Sequence, residues 1–307
     1  MNIINFLKRD AQKSQIEKRR RSNWYIYLIS FAATFVLLGL FTLAFRDTLF
    51  PQTRSSTVDW QGMLTYSPDA ELDTTILFML SDEQGSVPHK YLLLNYRPRD
   101  EVISIVPLSQ DTRIETRNNS ERLADLYSRG GANVTKAGIV NTLGIPIEFY
   151  VKFDRASFTG FTAPLGLFSV NVPFPFSESG LTLNVGEHLI SGGDLFTYIT
   201  FADFAEVGTH FNLAIIGQSL TSFINSNLRN MDVESIQSAF NRVLNNASTN
   251  MTFRDYISYQ RALYHTSTNS INPAEFYIPT GEQEDTLFVI SNQSIANINS
   301  RFNVQTE

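Results

Sequence analysis

Residues 75–80 read Thr-Ile-Leu-Phe-Met-Leu, residues 91–96 Tyr-Leu-Leu-Leu-Asn-Tyr and residues 102–106 Val-Ile-Ser-Ile-Val. Each is a short, nearly continuous apolar run of one strand's length, the pattern of a strand covered on both faces. Arg97-Pro98-Arg99-Asp100 lies between the second and third runs. Proline presets φ and polar neighbours favour reversal, so these two runs are expected to form a hairpin. Outward from this nucleus, helix and strand patterns alternate. Glu121–Arg129 reads helical and stops at Gly130-Gly131, and Lys136–Leu143 is a second short helix ended by Gly144 and Pro146. Glu148–Phe153 and Phe168–Val172 are expected strands, with Phe158–Leu165 helical between them. Leu213, Ile216, Leu220, Phe223, Ile224 and Leu228 recur at helical spacing, and Val233–Leu244 and Thr252–Tyr264 follow as helices. Phe276–Ile278 and Leu287–Ile290 are late strands. The alternation of strands and helices makes an α/β or α+β layered domain.

Before this domain, Trp24–Phe45 gives 22 consecutive uncharged, mostly apolar residues. At about 1.5 Å rise per residue such a helix crosses a hydrocarbon core of roughly 30 Å. Trp24, Tyr25 and Tyr27 stand at its start, where amphipathic rings favour the headgroup layer. The first 23 residues carry seven Lys/Arg against two acids, including Arg19-Arg20-Arg21. The positive-inside rule then keeps that arm cytoplasmic and sends everything after Arg46 outside. A cleaved signal peptide fits poorly, because the apolar run is too long and no small-x-small site follows it. The expected organisation is a basic arm at 1–23, a single-pass transmembrane helix at 24–45, a juxtamembrane linker at 46–69, the layered domain at 70–280 and a C-terminal extension at 281–307. The lipid bilayer is thus an expected partner and the cell membrane the expected location, with the domain extracytoplasmic.

Beyond the arm the chain holds 17 basic and 28 acidic residues, a net −11. An acidic surface is a poor partner for nucleic acid, whose binding requires cations to displace counterions. The chain has no cysteine, which excludes a disulfide framework, a thiolate nucleophile and a cysteine zinc site. No nucleophile elbow, phosphate-binding glycine loop before a helix or His-x-x-x-His spacing is found.

Four phrases, in this order, resemble the LytR-CpsA-Psr family of bacterial envelope proteins. They are the strand 75–80 ending in Ser81-Asp82; Ile105-Val106-Pro107-Leu108-Ser109-Gln110-Asp111-Thr112, similar to the family's strand and Pro-Arg-Asp-Thr; Leu143-Gly144-Ile145-Pro146-Ile147-Glu148-Phe149-Tyr150-Val151, similar to its Gly-Ile-Pro-Ile-Asp-x-Tyr-Val; and Leu183, Gly186, Gly192, Leu195 and Tyr198 at the family's spacing. The resemblance covers roughly residues 70–280. It implies one membrane-anchored extracytoplasmic α/β domain, a central mixed sheet flanked by helices, that moves anionic glycopolymers from a polyprenyl-pyrophosphate carrier onto peptidoglycan or related acceptors. It also implies arginines and magnesium-bearing carboxylates around the pyrophosphate, and an apolar tunnel for the lipid.

The chain departs from that pattern where the charge matters. Gln110, Thr200, Ala202, Thr209 and Asn212 stand at five positions where the family has arginine. Val87-Pro88-His89 stands where the family has Arg-Ser-Asp, so His89 replaces a magnesium carboxylate. Asp111 remains at the position the resemblance marks as catalytic, and Asp82 and Asp111 are the carboxylates left to hold magnesium, the one cofactor in view. Arginine forks and a metal are the usual means of stabilising a reacting diphosphate. Arg113, Arg117, Arg122 and Arg129 lie close in sequence to Asp111 as stand-ins, and a solvated loop face is their plainer reading. The phenylalanines from Phe149 to Phe176 read as core, with a tunnel wall as the alternative. Three functions stay open: a catalytically degenerate binding or scaffold member beside polyprenyl-linked glycan or an active paralogue, which the missing arginines favour; an active magnesium-dependent phosphotransferase with relocated arginines; and a surface interaction domain without a lipid ligand.

Overall fold

The structure is a computed structural model that describes residues 66–304 apart from Gln84, Arg117, Asn118, residues 202–207 and Asn230. The expected cytoplasmic arm, the transmembrane segment 24–45 and most of the linker lie outside the described residues, as do Ala202 and Arg117. No helix among the described residues is long and apolar enough to cross a membrane.

In chain order the strands are β1 (Thr74–Ser81), β2 (Lys90–Arg97), β3 (Val102–Leu108), β4 (Arg113–Glu115), β5 (Ser120–Arg122), β6 (Phe149–Asp154), β7 (Phe168–Val172), β8 (Phe176–Glu178), β9 (Leu181–Leu183), β10 (Gly186–Ile190), β11 (Ser248–Thr249), β12 (Ala274–Phe276), β13 (Gly281–Glu284) and β14 (Leu287–Ile290). The helices are α1 (Leu123–Leu143), α2 (Arg155–Thr162), α3 (Gly192–Thr200), α4 (Thr209–Leu228), α5 (Val233–Asn246), α6 (Phe253–Asn269) and α7 (Asn292–Arg301). The expected hairpin is present: β2 and β3 pair antiparallel from Tyr91 opposite Leu108 to Arg97 opposite Val102. Its turn is a short 3-10 segment, Pro98–Asp100, closed by Glu101 in the left-handed region at φ 57°.

The central sheet runs β11-β6-β1-β2-β3-β12. It is mixed, since β1–β6 and β3–β12 are parallel and the other neighbours antiparallel. Side chains alternate across a strand, and the sheet separates two apolar cores. On one face Leu77, Met79, Tyr91, Leu93, Val106 and Leu108 pack under Leu123, Leu126 and Ile139 of α1 and Ile298 of α7. On the other, Leu80, Leu92, Ile105, Val151 and Phe153 pack against Phe158 of α2, Phe196 of α3, Leu220 of α4 and the β7–β10 ribbon.

Helix starts follow side-chain capping. Asp154 and Ser157 form a reciprocal box at α2, as do Ser191 and Asp194 at α3 and Thr252 and Asp255 at α6. The two helices expected within 121–143 are the two halves of α1, interrupted where Gly130 and Gly131 leave helical geometry. Gly192 lies so close to Thr162 that a β-carbon there would overlap it, which lets α3 sit tightly on α2. Residues 281–304 pack as the β13–β14 hairpin and α7, placing Phe288, Ile290, Ile298 and Phe302 in the α1-side core.

Candidate functional site

Two cavities lie against the α4-covered face of the sheet. The first, of about 320 Å³, is lined almost wholly by apolar groups: Ile76 and Phe78 from β1, Leu94 from β2, Phe153 from β6, Phe161 from α2, Phe223 and Ile224 from α4, Val243 from α5 and Leu263 from α6. The phenylalanine stretch therefore divides. Phe158, Phe168 and Phe176 are core, Phe153 and Phe161 wall the cavity, and Phe174 is exposed against Phe211.

The second cavity, of about 110 Å³, is polar and sits where β1 and β3 end and β2 begins. His89, Lys90, Leu108, Ser109, Gln110, Asp111, Thr209, Asn212, Leu213 and Ile216 line it. Carboxyl ends of strands are where ligands commonly dock in sheets of this kind. Of the residues singled out in the sequence, His89, Gln110, Asp111, Thr209 and Asn212 meet here. Thr200 does not; its hydroxyl donates to the carbonyl of Phe196 within α3 at 2.6 Å. Asp82 does not line the pocket either, since its side chain is 70% exposed, with Oδ1 3.8 Å from Nε2 of His89.

Each wall has a local cause. The Ser109–Thr112 turn is held from two sides: Phe288 N–H donates to the carbonyl of Asp111 at 2.8 Å, and Ala124 N–H to that of Gln110 at 3.1 Å. The Asp111 carboxylate accepts from Arg122 at 3.3 Å, while the same guanidinium holds Asp125 at 3.0 and 3.1 Å. Of the other stand-in arginines among the described residues, Arg113 turns to Glu115 and Glu284 and Arg129 to Glu121. Arg155 stacks on Phe196 and donates to Thr197. Among the described residues no arginine lines the polar pocket.

Its cation is Lys90, which the sequence reading did not single out. Lys90 alternates in step with Leu92 and Leu94, so it points into the same layer as the apolar cavity. It is 9% exposed, and burial pushes its ammonium down to about 8, against the opposing pull of the Asp82 charge. Its Nζ donates to Oδ1 of Asn212 at 3.4 Å. Burial likewise lowers the His89 imidazole, with Asp82 acting the other way. The signal available in the sequence was a lysine joined directly to the apolar run 91–96.

Magnesium does not suit this set of groups. Among the described residues Asp111 is the one carboxylate lining the pocket and is already held by Arg122, Asp82 lies outside, and an ammonium occupies the interior. Among the described residues no three His or acidic side chains are placed to share an ion.

Along β2 Leu92 stands between Lys90 and Leu94, and along α4 Leu220 stands between Ile216 and Phe223. Leu92, Leu220 and Ile105 of β3 are buried in one packed cluster.

A mixed sheet with an apolar cavity on one face and a polar pocket at its strand ends defines the class of protein. The chain belongs to the LytR_cpsA_psr family, whose family model matches residues 46–303. It is 33% identical over 105 residues to the polyisoprenyl-teichoic acid–peptidoglycan teichoic acid transferase TagU of Halalkalibacterium halodurans, a match spanning 34% of each chain. Thus the match covers about a third of that relative's length. It is 22% identical to TagU of Bacillus licheniformis over 78% of this chain and 82% of the relative. The crystal structure of TagV from B. subtilis superposes with a TM-score of 0.64 at 19% identity, over 75% of this chain and 96% of that one. Family members attach glycopolymers such as teichoic acid in the cell wall, and these relatives are named as transferases.

Proposed function

We propose that this chain is a catalytically degenerate member of its family, which binds a polyprenyl-linked glycopolymer during cell-wall assembly and does not transfer it. The observation that carries this reading is the pocket's lining: His89, Lys90, Gln110, Asp111, Thr209 and Asn212, with no arginine among the described residues. Transfer from a pyrophosphate carrier develops charge on the leaving phosphate, and each 1.36 kcal/mol of lost stabilisation costs about tenfold in rate. Replacing several guanidinium groups by amides and hydroxyls removes that stabilisation, while the single ammonium of Lys90 compensates one charge at most.

Lipid binding is argued from the other cavity. A prenyl chain is recognised by area burial at about 25 cal/mol per Å² and needs no charge. The 320 Å³ apolar space above the sheet supplies such a surface, which disfavours a surface interaction domain without a lipid ligand. Trp24–Phe45 would fix the domain to the outer face of the membrane, where lipid-linked glycan is presented. Asp111, Gln110, Thr209, Asn212 and His89 are the proposed ligand-facing residues, and the groups around Asp111 do not suit magnesium.

Incubation of the full-length protein with a lipid-linked oligosaccharide, magnesium and an acceptor glycan tests the reading. The expected result is no product together with a thermal upshift from the lipid. Glycan appearing on the acceptor overturns it in favour of an active phosphotransferase. No upshift removes the lipid-binding half, because a ligand confined to the folded form must raise its stability.

A further inference from the structure

We propose that the α5–α6 hairpin docks on the surface of an anionic phospholipid bilayer, through the exposed stripe Phe253, Arg254, Ile257 and Arg261 of α6. This goes beyond the proposed function and holds whether or not the apolar cavity takes a prenyl chain.

The charge pattern is already in the sequence. Residues 235–274 cover most of α5, the turn with β11 and all of α6, and hold one acid, Asp255, against Arg242, Arg254 and Arg261. Cations are thus gathered on one hairpin of an otherwise acidic domain. Asp255 is engaged within its own helix start, accepting from the N–H and the hydroxyl of Thr252 at 2.7 Å. Glu148, whose carbonyl accepts from Asn250 near the hairpin tip, turns its carboxylate onto the Thr75 N–H at 2.6 Å. Acids resume at the far end of α6, where Glu101 meets His265 at 3.4 Å. Arg254 and Arg261 are exposed, and among the described residues neither has a carboxylate partner.

The apolar half of the stripe lies between these two cations. Phe253 and Ile257 are 46% and 53% exposed, and residues four apart share a helix face. Phe253 packs on Tyr256 with ring centres 5.5 Å apart, and Tyr256 stacks on Phe240 at 4.9 Å. Tyr256 and Phe240 line the apolar cavity, so the stripe is the outer side of its α5–α6 wall. Apolar and basic side chains interleaved on one helix suit a bilayer interface, where rings and aliphatic groups enter the acyl boundary and guanidinium groups meet lipid phosphates. A soluble polyanion would use the arginines and leave Phe253 and Ile257 in water, which decides for the bilayer.

The place where the described chain begins agrees. Tyr66 lies edge-on to His265 of α6, with ring centres 6.0 Å apart. Twenty residues separate it from Phe45, the end of the apolar run read as a transmembrane helix, a reach of at most about 70 Å. A tether of that length keeps the domain at high effective concentration over the bilayer, so a small docking surface suffices.

The chain has no cysteine, so Ser258→Cys, at an exposed position beside Ile257, carries a single fluorescent label. The full-length labelled protein is placed in nanodiscs of phosphatidylcholine, with or without phosphatidylglycerol, whose acyl chains bear nitroxide quenchers. The expected result is quenching with phosphatidylglycerol that is about fivefold weaker without it. Arg254→Glu with Arg261→Glu should remove the quenching, as should Phe253→Ser with Ile257→Ser, both with unchanged melting curves. A label at the exposed Glu282→Cys on β13 should stay unquenched. No quenching at 258 in either lipid overturns the proposal, as does equal quenching at 258 and 282 or quenching indifferent to the arginine pair. Energy transfer between labels on two copies without lipid quenching assigns the stripe to a dimer and overturns it. Shielding by soluble polyglycerol phosphate without lipid quenching assigns the arginines to a polyanion and does the same. Shielding from aqueous iodide that is equal in detergent and in nanodiscs, without lipid quenching, gives the stripe to residues 46–65 and also overturns it.

Discussion

The apolar cavity and the polar pocket share one sheet face, the strands β2 and β3 and the helix α4, yet they are built on opposite terms. The cavity is walled by side chains that ask only for hydrocarbon, and many residues share the task, so no single position defines it. The pocket depends on a few groups whose charge and direction matter singly: Lys90, Asn212, His89 and Asp111. A site of the first kind tolerates drift in sequence; a site of the second changes its chemistry with each substitution. Affinity for a lipid can therefore persist in a fold after the means of breaking its phosphoanhydride has gone.

That contrast can be broken most forcefully from the apolar side. A prenyl chain burying ~200 Å² would gain ~5 kcal/mol. Filling the space with Val243→Trp is expected to weaken geranylgeraniol binding by on the order of a thousandfold, read as loss of its thermal upshift. Retained binding would place the lipid elsewhere. The partition comes next. Leu220→Ala should destabilise the domain by about 2–5 kcal/mol, a drop of about 5–15 °C in Tm by calorimetry. Joining the two spaces should also raise affinity for geranylgeranyl phosphate relative to geranylgeraniol. An unchanged ratio would mean that the two cavities already communicate.

A third prediction concerns pH and the pocket. Lys90 titrates near 8 in the folded chain and near 10.5 in the unfolded one. The unfolded state thus binds more protons between those values, so this residue's contribution to stability rises with pH across that window and is unfavourable below it. Relative to Lys90→Met, the wild type should gain up to about 3 kcal/mol between pH 8 and 10.5, measured by denaturant unfolding. The smallest effect is expected at Arg122. It is largely solvated and divided between Asp111 and Asp125, so Arg122→Ala should change stability by less than about 1 kcal/mol and lipid binding by less than threefold.

Much of the fold was legible because its signals are local. The apolar runs, Pro98 at the hairpin and the glycine pair in α1 each act through their immediate neighbours, and the strands Phe168–Val172 and Leu287–Ile290 occur with the expected bounds. The family phrases brought five of the eight singled-out residues to one pocket. Thr200 stood at a family position yet turns into its own helix. Lys90 was missed because a lysine beside a strand usually marks its solvated end; its burial depends on α4, more than a hundred residues later. Asn212 was read as an arginine lost, and its bond to Lys90 could be seen only in the fold. The packing of residues 281–304 was similarly invisible, since Phe288 meets Asp111 and Thr112 across the whole domain.

That last contact makes the rim of the pocket hostage to the tail of the chain. The turn carrying Gln110 and Asp111 leans on the β13–β14 hairpin, through the Phe288 amide and the Arg113–Glu284 pair, whereas among the described residues none of the apolar cavity's walls comes from beyond α6. Proteolytic nicking near Asp285, or a bulky tag that pries α7 loose, would leave a protein still greasy enough to hold hydrocarbon but with the rim of its polar pocket slack.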